Sequence, residues 1–175
     1  TAGMIMYTPE HLSELMNMCS SKGVLNIADE VFTGFYRTGK LFAHQYLSET
    51  PDIICLSKGL TGGYLPLGLT VCHEKIYKAF YSDQKTKAFF HGHSYTGNPI
   101  SCAAACASLD IMERKESVDN VKRVMRKHGG FAKFLKGRTE VSSVRHMGTI
   151  WAFDVKTSEG VSYFNKSRDK LYQFF

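Results

Sequence analysis

The chain contains the stretch Asp52-Ile-Ile-Cys-Leu-Ser-Lys58-Gly-Leu-Thr-Gly-Gly63, a short apolar run that ends in one lysine and then in glycines. Residues 53–56 are β-prone and too few for a helix, and the glycines after Lys58 end the predicted strand. Because ligands of α/β sheets bind beyond the carboxyl ends of the strands, Lys58 is expected to face a site. A desolvated lysine can be the neutral nucleophile that attacks a carbonyl, although a surface lysine that merely ends a strand is the commoner case.

A second strand with a charged end lies upstream. Residues 24–28 are mostly apolar and lead into Asp29 and Glu30, which are followed by a Gly-rich turn over residues 33–40. A lysine and an aspartate at neighbouring strand ends suit pyridoxal phosphate, whose pyridine nitrogen needs an anionic partner to stay protonated. On the residues alone, Asp29 is more simply an ordinary helix cap or loop carboxylate. The Gly-rich turn matches neither a phosphate loop nor a dinucleotide-binding fingerprint.

A further polar loop, His91-Gly-His-Ser-Tyr-Thr-Gly-Asn-Pro99, precedes an Ala-rich helix predicted over residues 100–112. Ser94 supplies a hydroxyl in the loop before that helix, where hydroxyl and backbone NH groups bind phosphate well. On the residues alone, Ser94 is more simply an ordinary loop serine. His91 and His93 lack an evident third ligand, so no metal site is predicted.

Together these motifs resemble the class III aminotransferases of fold type I. The likeness covers three segments in the order and with the spacing of that family: residues 29–39, 51–63 and 91–99. It implies that Lys58 holds pyridoxal phosphate and is the catalytic residue, and that Asp29 contacts the pyridine nitrogen. It also implies that Ser94 contacts the cofactor phosphate of a partner subunit. The expected assembly is therefore a homodimer with shared active sites that acts on small molecules.

The resemblance also implies a substrate site. Arg37 is expected to contribute to binding the substrate's carboxylate through its bidentate guanidinium, although a simple loop arginine is an equal alternative on the residues alone. Gly92 and His93 are expected to line the substrate pocket. Phe32 departs from the family pattern, because many class III enzymes carry glutamine there, near the cofactor's phenolic oxygen. A nonpolar residue at this position argues against a typical ω-amino-acid transaminase.

The expected fold class is α/β. The family has a mixed, mostly parallel sheet in a three-layer αβα large domain, followed by a small α+β domain. The boundary is predicted near residue 116, so residues 1–115 are expected to be part of the cofactor-binding domain and residues 116–175 the beginning of the small domain. Family members run to well over twice the 175 residues of this chain. The chain is therefore interpreted as an internal segment that lacks several family site residues and is inactive alone.

Local signals predict the remaining elements. Thr8 and Pro9 start a helix that ends near residues 22–23, and Asn98 caps the helix at residues 100–112. Further elements are expected along the rest of the chain: a strand at 67–72, antiparallel by resemblance, a helix at 74–80, a helical region at 116–136 interrupted at Gly129-Gly130, strands at 141–144 and 149–155, and a helix at 162–175.

The composition, with 43% apolar and 22% charged residues, is ordinary for a globular protein. A net charge of +6 would suit an anionic partner such as nucleic acid. However, the basic residues are scattered apart from a cluster within residues 115–136, which a solvated helix face explains better. No run reaches the length of a membrane span. Neither nucleic acid nor a membrane is therefore expected as a partner.

The cysteines form no CxxC pair and no metal-binding spacing. They are Cys19, Cys55, Cys72, Cys102 and Cys106. Their odd number and apolar surroundings fit reduced, buried thiols in a cytoplasmic protein. Cys102 and Cys106 share a helix face at i, i+4, and both are expected to lie in the core.

Two other interpretations remain open. One is another class III enzyme that uses ornithine, 4-aminobutyrate or a β-amino acid, or a related aminomutase. The other is a basic, non-catalytic binding module that keeps the fold and binds no cofactor. Retention of Asp29, Lys58 and Ser94 together favours an enzyme, since these residues serve one ligand in the family.

Overall fold

The structure is a computed structural model, and it describes residues 2–156 and residue 173. The first long helix, α1, spans Pro9–Ser21. The side chain of Thr8 caps it by accepting a hydrogen bond from the backbone N of His11 at 3.3 Å, and Pro9 occupies the first turn, where its missing N–H costs nothing. The predicted helix start is confirmed.

A three-stranded sheet has the order β1-β2-β3. Its strands are β1 (Ile27–Asp29), β2 (Ile53–Leu56) and β3 (Leu69–Cys72). The first two strands run parallel, with Asp29 opposite Cys55, whereas β3 runs antiparallel to β2. The mixed sheet is therefore confirmed, including the reversed direction of the third strand.

Two helices follow the sheet: α2 (Glu74–Phe80) and α3 (Pro99–Met112). Asn98 caps α3, because its Oδ1 accepts hydrogen bonds from the backbone N of Ile100 at 3.0 Å and of Ser101 at 3.1 Å. Farther along α3, the hydroxyl of Ser108 donates to the carbonyl of Gly59 at 3.2 Å. Helix α3 thus packs against the segment that carries Lys58.

The last described elements are α4 (Lys115–Lys136) and a hairpin formed by β4 (Val141–Met147) and β5 (Ile150–Val155). The predicted interruption at Gly129-Gly130 is wrong, because α4 is continuous through both glycines. The ring of His146 packs beside Gly129, where a β-carbon would lie 3.4 Å from the ring, so the hairpin covers this part of the helix. Packing of the hairpin outweighs the low helix propensity of glycine.

Short 3-10 helices fill several connections: Ala2–Met4, Ala43–Tyr46, Lys58–Thr61 and Lys85–Lys87. The helix expected at residues 162–175 lies outside the described part of the chain. Helices α3 and α4 are joined by a short connection at residues 113–114, and the division into two domains near residue 116 stays a prediction. Among residues 2–156, no helix is both long and apolar enough to cross a membrane.

The core prediction for two cysteines is wrong. Helix α3 buries the face that carries Ser101 and Ala105, whereas Cys102 and Cys106 are exposed. The i, i+4 spacing correctly places the two thiols on one face, but each lies one residue, or about 100°, around the helix from the buried face. All five cysteines are free and none is fully buried.

Candidate active site

Two charged residues follow the carboxyl ends of adjoining parallel strands. Asp29 ends β1 opposite Cys55 of β2, and Lys58 comes three residues after Cys55. The backbone of Lys58 has φ +46°, a left-handed conformation that is costly for a residue with a side chain. Strain of this kind is concentrated at functional sites, so the conformation of Lys58 supports a role beyond that of a surface lysine.

Lys58 lines a cavity of about 510 Å³. Arg37 and Phe32, from the turn after β1, line the same cavity. Its wall near Lys58 is rich in glycine: Gly59, Gly62 and Gly63. The cavity also includes Thr149 of the β4–β5 hairpin. The structure therefore brings two predicted site residues, Lys58 and Arg37, to one cavity.

The aromatic ring of Phe32 links these two cations. The Nζ of Lys58 lies 5.8 Å from the ring centroid, and the Cζ of Arg37 lies 5.9 Å from it. Both distances fall within the range of about 6 Å over which a cation is attracted to an aromatic face. The residue that departs from the family pattern is therefore the one that both cations contact.

Asp29 lies in different surroundings. Its Oδ1 accepts a hydrogen bond from the backbone N of Val31 at 3.1 Å, which is the contact expected of a loop carboxylate. Asp29 also lines a second cavity, of about 370 Å³, between α1 and β1. The residues described around the Lys58 cavity do not include it. The contact of Asp29 with a pyridine nitrogen stays a prediction.

Gly92, His93 and Ser94 lie in an exposed loop before α3. The backbone N of His93 donates to the hydroxyl of Thr96 at 3.0 Å, which shapes the loop locally. Within the described chain these residues do not line the Lys58 cavity, so their substrate and phosphate roles stay predictions. No group of three potential metal ligands comes together in the described residues.

Glu30, directly after Asp29, has a structural role that was not predicted from the sequence. Its side chain is almost fully buried, with 2% of the residue exposed. It accepts hydrogen bonds from the backbone N of Ala43 and of His44, at 2.5 and 2.8 Å, and one oxygen lies 2.7 Å from Nδ1 of His44. Glu30 therefore ties the end of β1 to the 3-10 helix Ala43–Tyr46. An acidic residue directly after an apolar strand was the signal that could have identified it.

The contact between Arg37 and Thr149 was also missed. Both the backbone N and the hydroxyl of Thr149 donate to the carbonyl oxygen of Arg37, at 2.9 and 3.1 Å. Next to it, Gly148 packs so closely against the backbone of Thr38 that a β-carbon would clash. The partners lie 112 residues apart, so no local pattern signals the pair.

The cavity suits the cofactor that the motifs suggest. Its volume is that of a typical small-molecule site. An amine and a guanidinium at its wall suit a ligand that carries an aldehyde and anionic groups. Near Lys58, a β-carbon at Gly59 would lie 2.7 Å from the side chain of Phe35, so glycine is required for the close packing there. The residues present therefore fit pyridoxal phosphate, and the role of Lys58 in holding it stays a prediction.

Comparison with known proteins gives a consistent result. The family model described as aminotransferase class-III matches residues 1–170. An adenosylmethionine-8-amino-7-oxononanoate aminotransferase from Helicobacter pylori is 40% identical over 170 residues, which cover 91% of this chain and 38% of the relative. The relative of the same name from Synechococcus elongatus is 45% identical over 158 residues, covering 90% of this chain and 37% of the relative.

Solved structures agree with the sequence relatives. The adenosylmethionine-8-amino-7-oxononanoate aminotransferase from Methanocaldococcus jannaschii has a TM-score of 0.80 at 38% identity, over 87% of this chain and 36% of the other. A Bacillus anthracis aminotransferase has the same TM-score of 0.80 at 30% identity, over 87% of this chain and 34% of the other. The chain thus spans between a third and two fifths of the length of the proteins it matches.

Proposed function

The chain belongs to the class III aminotransferases, and on this basis we propose that the protein transfers the amino group of S-adenosylmethionine to 8-amino-7-oxononanoate. The product would be the 7,8-diamino acid of biotin biosynthesis. The specific substrates are those in the names of relatives that are 40% and 45% identical to this chain. The observation that carries the proposal is that Lys58 and Arg37 border one cavity around the ring of Phe32.

Class III aminotransferases depend on pyridoxal phosphate, which supplies an electron sink for the carbon that loses its proton. In the proposed reaction, Lys58 would hold the cofactor until the amino group of the donor takes its place, and the freed Nζ would then accept the proton from the carbon that bears the amino group. The same amine would donate this proton again later in the transfer. Asp29 keeps the pyridine nitrogen protonated, because an anion beside a cationic group favours the protonated form.

Arg37 is proposed to bind the carboxylate of the substrate. A guanidinium presents two parallel N–H donors that match a carboxylate, and Arg37 is exposed towards the cavity that Lys58 shares. Phe32 provides an apolar wall between the two cations. Gly92 and His93 are proposed to complete the substrate pocket from the loop before α3.

A homodimer is proposed, in which Ser94 binds the cofactor phosphate of the partner subunit. Support comes from the exposure of the loop that carries Ser94, which lies outside the Lys58 cavity of its own chain. Further support comes from large aromatic side chains that are exposed in the segment leading to α3: Tyr77, Phe80, Tyr81, Phe89, Phe90 and Tyr95. Exposed apolar surface of this kind is typical of protein interfaces. The five free cysteines support a cytoplasmic location.

The amino donor tests the function. The full-length protein, loaded with pyridoxal phosphate, is mixed with S-adenosylmethionine, ornithine or 4-aminobutyrate, and the absorbance change of the cofactor is followed. S-adenosylmethionine should convert the cofactor to its amine form, and added 8-amino-7-oxononanoate should reverse the change. Conversion by ornithine or 4-aminobutyrate alone would assign a different class III activity. Failure to take up any cofactor would instead support a non-catalytic binding module.

A further inference from the structure

We propose that Thr149, from the β4–β5 hairpin, is a positioning residue that holds Arg37 in place for the substrate's carboxylate. The proposal rests on the proposed function, since it needs Arg37 to bind that carboxylate. It assigns to the hairpin a part in substrate specificity, although Thr149 itself need not touch the substrate. The three residues of this contact, Arg37, Thr149 and His128, are called the arginine clasp below.

The carbonyl of Arg37 receives two donors from one residue. The backbone N of Thr149 lies 2.9 Å from that oxygen and the hydroxyl lies 3.1 Å from it. Two hydrogen bonds use both lone pairs of a carbonyl and thereby fix the plane of the peptide that follows Arg37. The backbone N of Thr149 is committed to this contact rather than to the strands of its hairpin.

Thr149 is itself held from the other side. The Nδ1 of His128, on α4, lies 2.7 Å from the carbonyl of Thr149. The neighbouring Trp151 packs edge-on against Phe131 of the same helix, with ring centroids 5.1 Å apart. The arginine clasp therefore connects the turn after β1 to a hairpin that is anchored on a 22-residue helix.

Within residues 2–156, the side chain of Arg37 has little else to position it. Arg37 is exposed, and the contact described for its guanidinium is the face of Phe32, at 5.9 Å. A cation over an aromatic ring is attracted weakly and without a fixed direction. The geometry of the guanidinium therefore depends on the backbone of the turn, and a small displacement of that backbone is enough to weaken a bidentate contact.

The backbone of the turn is also strained, so it needs an external restraint. Tyr36, directly before Arg37, has φ +67°, and Phe35 has φ +57°. Left-handed conformations of residues with side chains persist only when surrounding contacts enforce them. The arginine clasp supplies such a contact immediately after the strained pair.

The test compares two ligands that differ only in the group that Arg37 is proposed to bind. Dissociation constants of 8-amino-7-oxononanoate and of its methyl ester are measured by calorimetry on the full-length, cofactor-loaded protein. Thr149→Val keeps the shape and removes the hydroxyl donor. It should weaken binding of the acid roughly 3- to 10-fold, as expected for one lost hydrogen bond, and leave binding of the ester unchanged. In steady-state kinetics with 8-amino-7-oxononanoate as the varied substrate, kcat should stay near the wild-type value while KM rises.

Three further variants make the result decisive. Thr149→Ser keeps the hydroxyl and should keep the wild-type preference for the acid. Ser142→Ala removes a different side-chain hydrogen bond from the same hairpin, to the carbonyl of Asp154, and should change neither ligand. Arg37→Ala should weaken binding of the acid more than Thr149→Val does. Adding Thr149→Val to Arg37→Ala should then have no further effect on binding.

The outcomes separate the two proposals. If Arg37→Ala leaves the dissociation constants of the acid and the ester unchanged, the role of Arg37 in binding the carboxylate is overturned. If Arg37→Ala weakens the acid selectively but Thr149→Val affects both ligands equally, or neither, the positioning role of Thr149 is overturned and the function stands. Selective weakening by both variants supports both proposals.

Discussion

The amine of Lys58 lies 5.8 Å from the centroid of the Phe32 ring. Lys58 follows β2 and Phe32 follows β1, so the contact joins the ends of two parallel strands. The same ring also faces the guanidinium of Arg37. A glutamine at position 32 would replace this apolar face with an amide, so residue 32 sets the polarity of this part of the cavity wall.

Replacement of Lys58 tests the catalytic assignment directly. Lys58→Ala in the full-length protein should lower kcat by roughly 10²- to 10⁴-fold or more, because it removes the group proposed to transfer the proton. Steady-state kinetics with the two proposed substrates provides the measurement. Lys85→Ala, at an exposed lysine of a 3-10 helix, is the matched control and should keep wild-type kinetics. A Lys58→Ala protein with near wild-type kcat would remove Lys58 from the mechanism.

Glu30 should be essential for stability. Glu30→Ala leaves the half-buried backbone N–H groups of Ala43 and His44 without their acceptor and opens a gap at a fully buried position, and should lower the free energy of unfolding by about 3 kcal/mol or more. Glu30→Gln keeps one acceptor oxygen and should cost less. Glu14→Ala, on the exposed side of α1, should change stability by no more than about 0.5 kcal/mol. Denaturant unfolding of the three variants measures the difference, and equal effects at positions 30 and 14 would contradict the buried role.

Two glycine-to-alanine substitutions should have opposite effects on stability. Gly148 has φ +60°, and a β-carbon there would clash with the backbone of Thr38 and Gly39. Gly148→Ala should therefore destabilise the protein by more than the roughly 1–2 kcal/mol of a left-handed alanine alone. Gly130 lies inside α4 with open space around it, so Gly130→Ala should stabilise by about 0.5–1 kcal/mol. Thermal unfolding of both variants checks the pair, and a stabilising Gly148→Ala would exclude the close approach.

The ion pair within the hairpin predicts a pH dependence. The Arg145 guanidinium donates to both carboxylate oxygens of Asp154, at 2.9 Å each, and this holds the pKa of Asp154 below its ordinary value. Because the folded pKa is the lower one, the stabilisation is fully present above the ordinary aspartate pKa. It is lost as the pH falls through the lowered, folded value.

The wild-type protein and Asp154→Asn should accordingly differ most in urea midpoint near neutral pH and converge in acid. An NMR titration of the Asp154 carboxyl checks the direction of the shift. Parallel stability curves at all pH values would show that the pair does not contribute. The outcome is specific to Asp154, since the variant leaves every other carboxylate in place.

Elements with local signals could be predicted from the sequence. The cap at Thr8 and the cap at Asn98 each lie next to a proline at the helix start, and both caps are present. The strand at residues 53–56 and the helix at residues 74–80 have the predicted bounds. In each case the signal lies in the residues of the element itself or directly before it.

Features that depend on distant partners could not be predicted. The two glycines of α4 indicated a break, but α4 is continuous through both, and the ring of His146 from the distant hairpin packs beside Gly129. The spacing of Cys102 and Cys106 gave their common face but not which neighbour covers α3. Lys58 and Arg37 were both predicted for the site, whereas the clasp between Arg37 and Thr149 required the fold.

Because β1 and β2 pair in parallel, the positions of the residues at their carboxyl ends do not depend on the length of the segment that connects the two strands. The register of the two strands, with Asp29 opposite Cys55, sets the distance between Asp29 and Lys58. The length of the segment between the strands does not determine that distance. The exposed stretch at residues 48–50 should therefore accept inserted residues, which makes it a practical place to insert a purification tag or a fluorescent reporter.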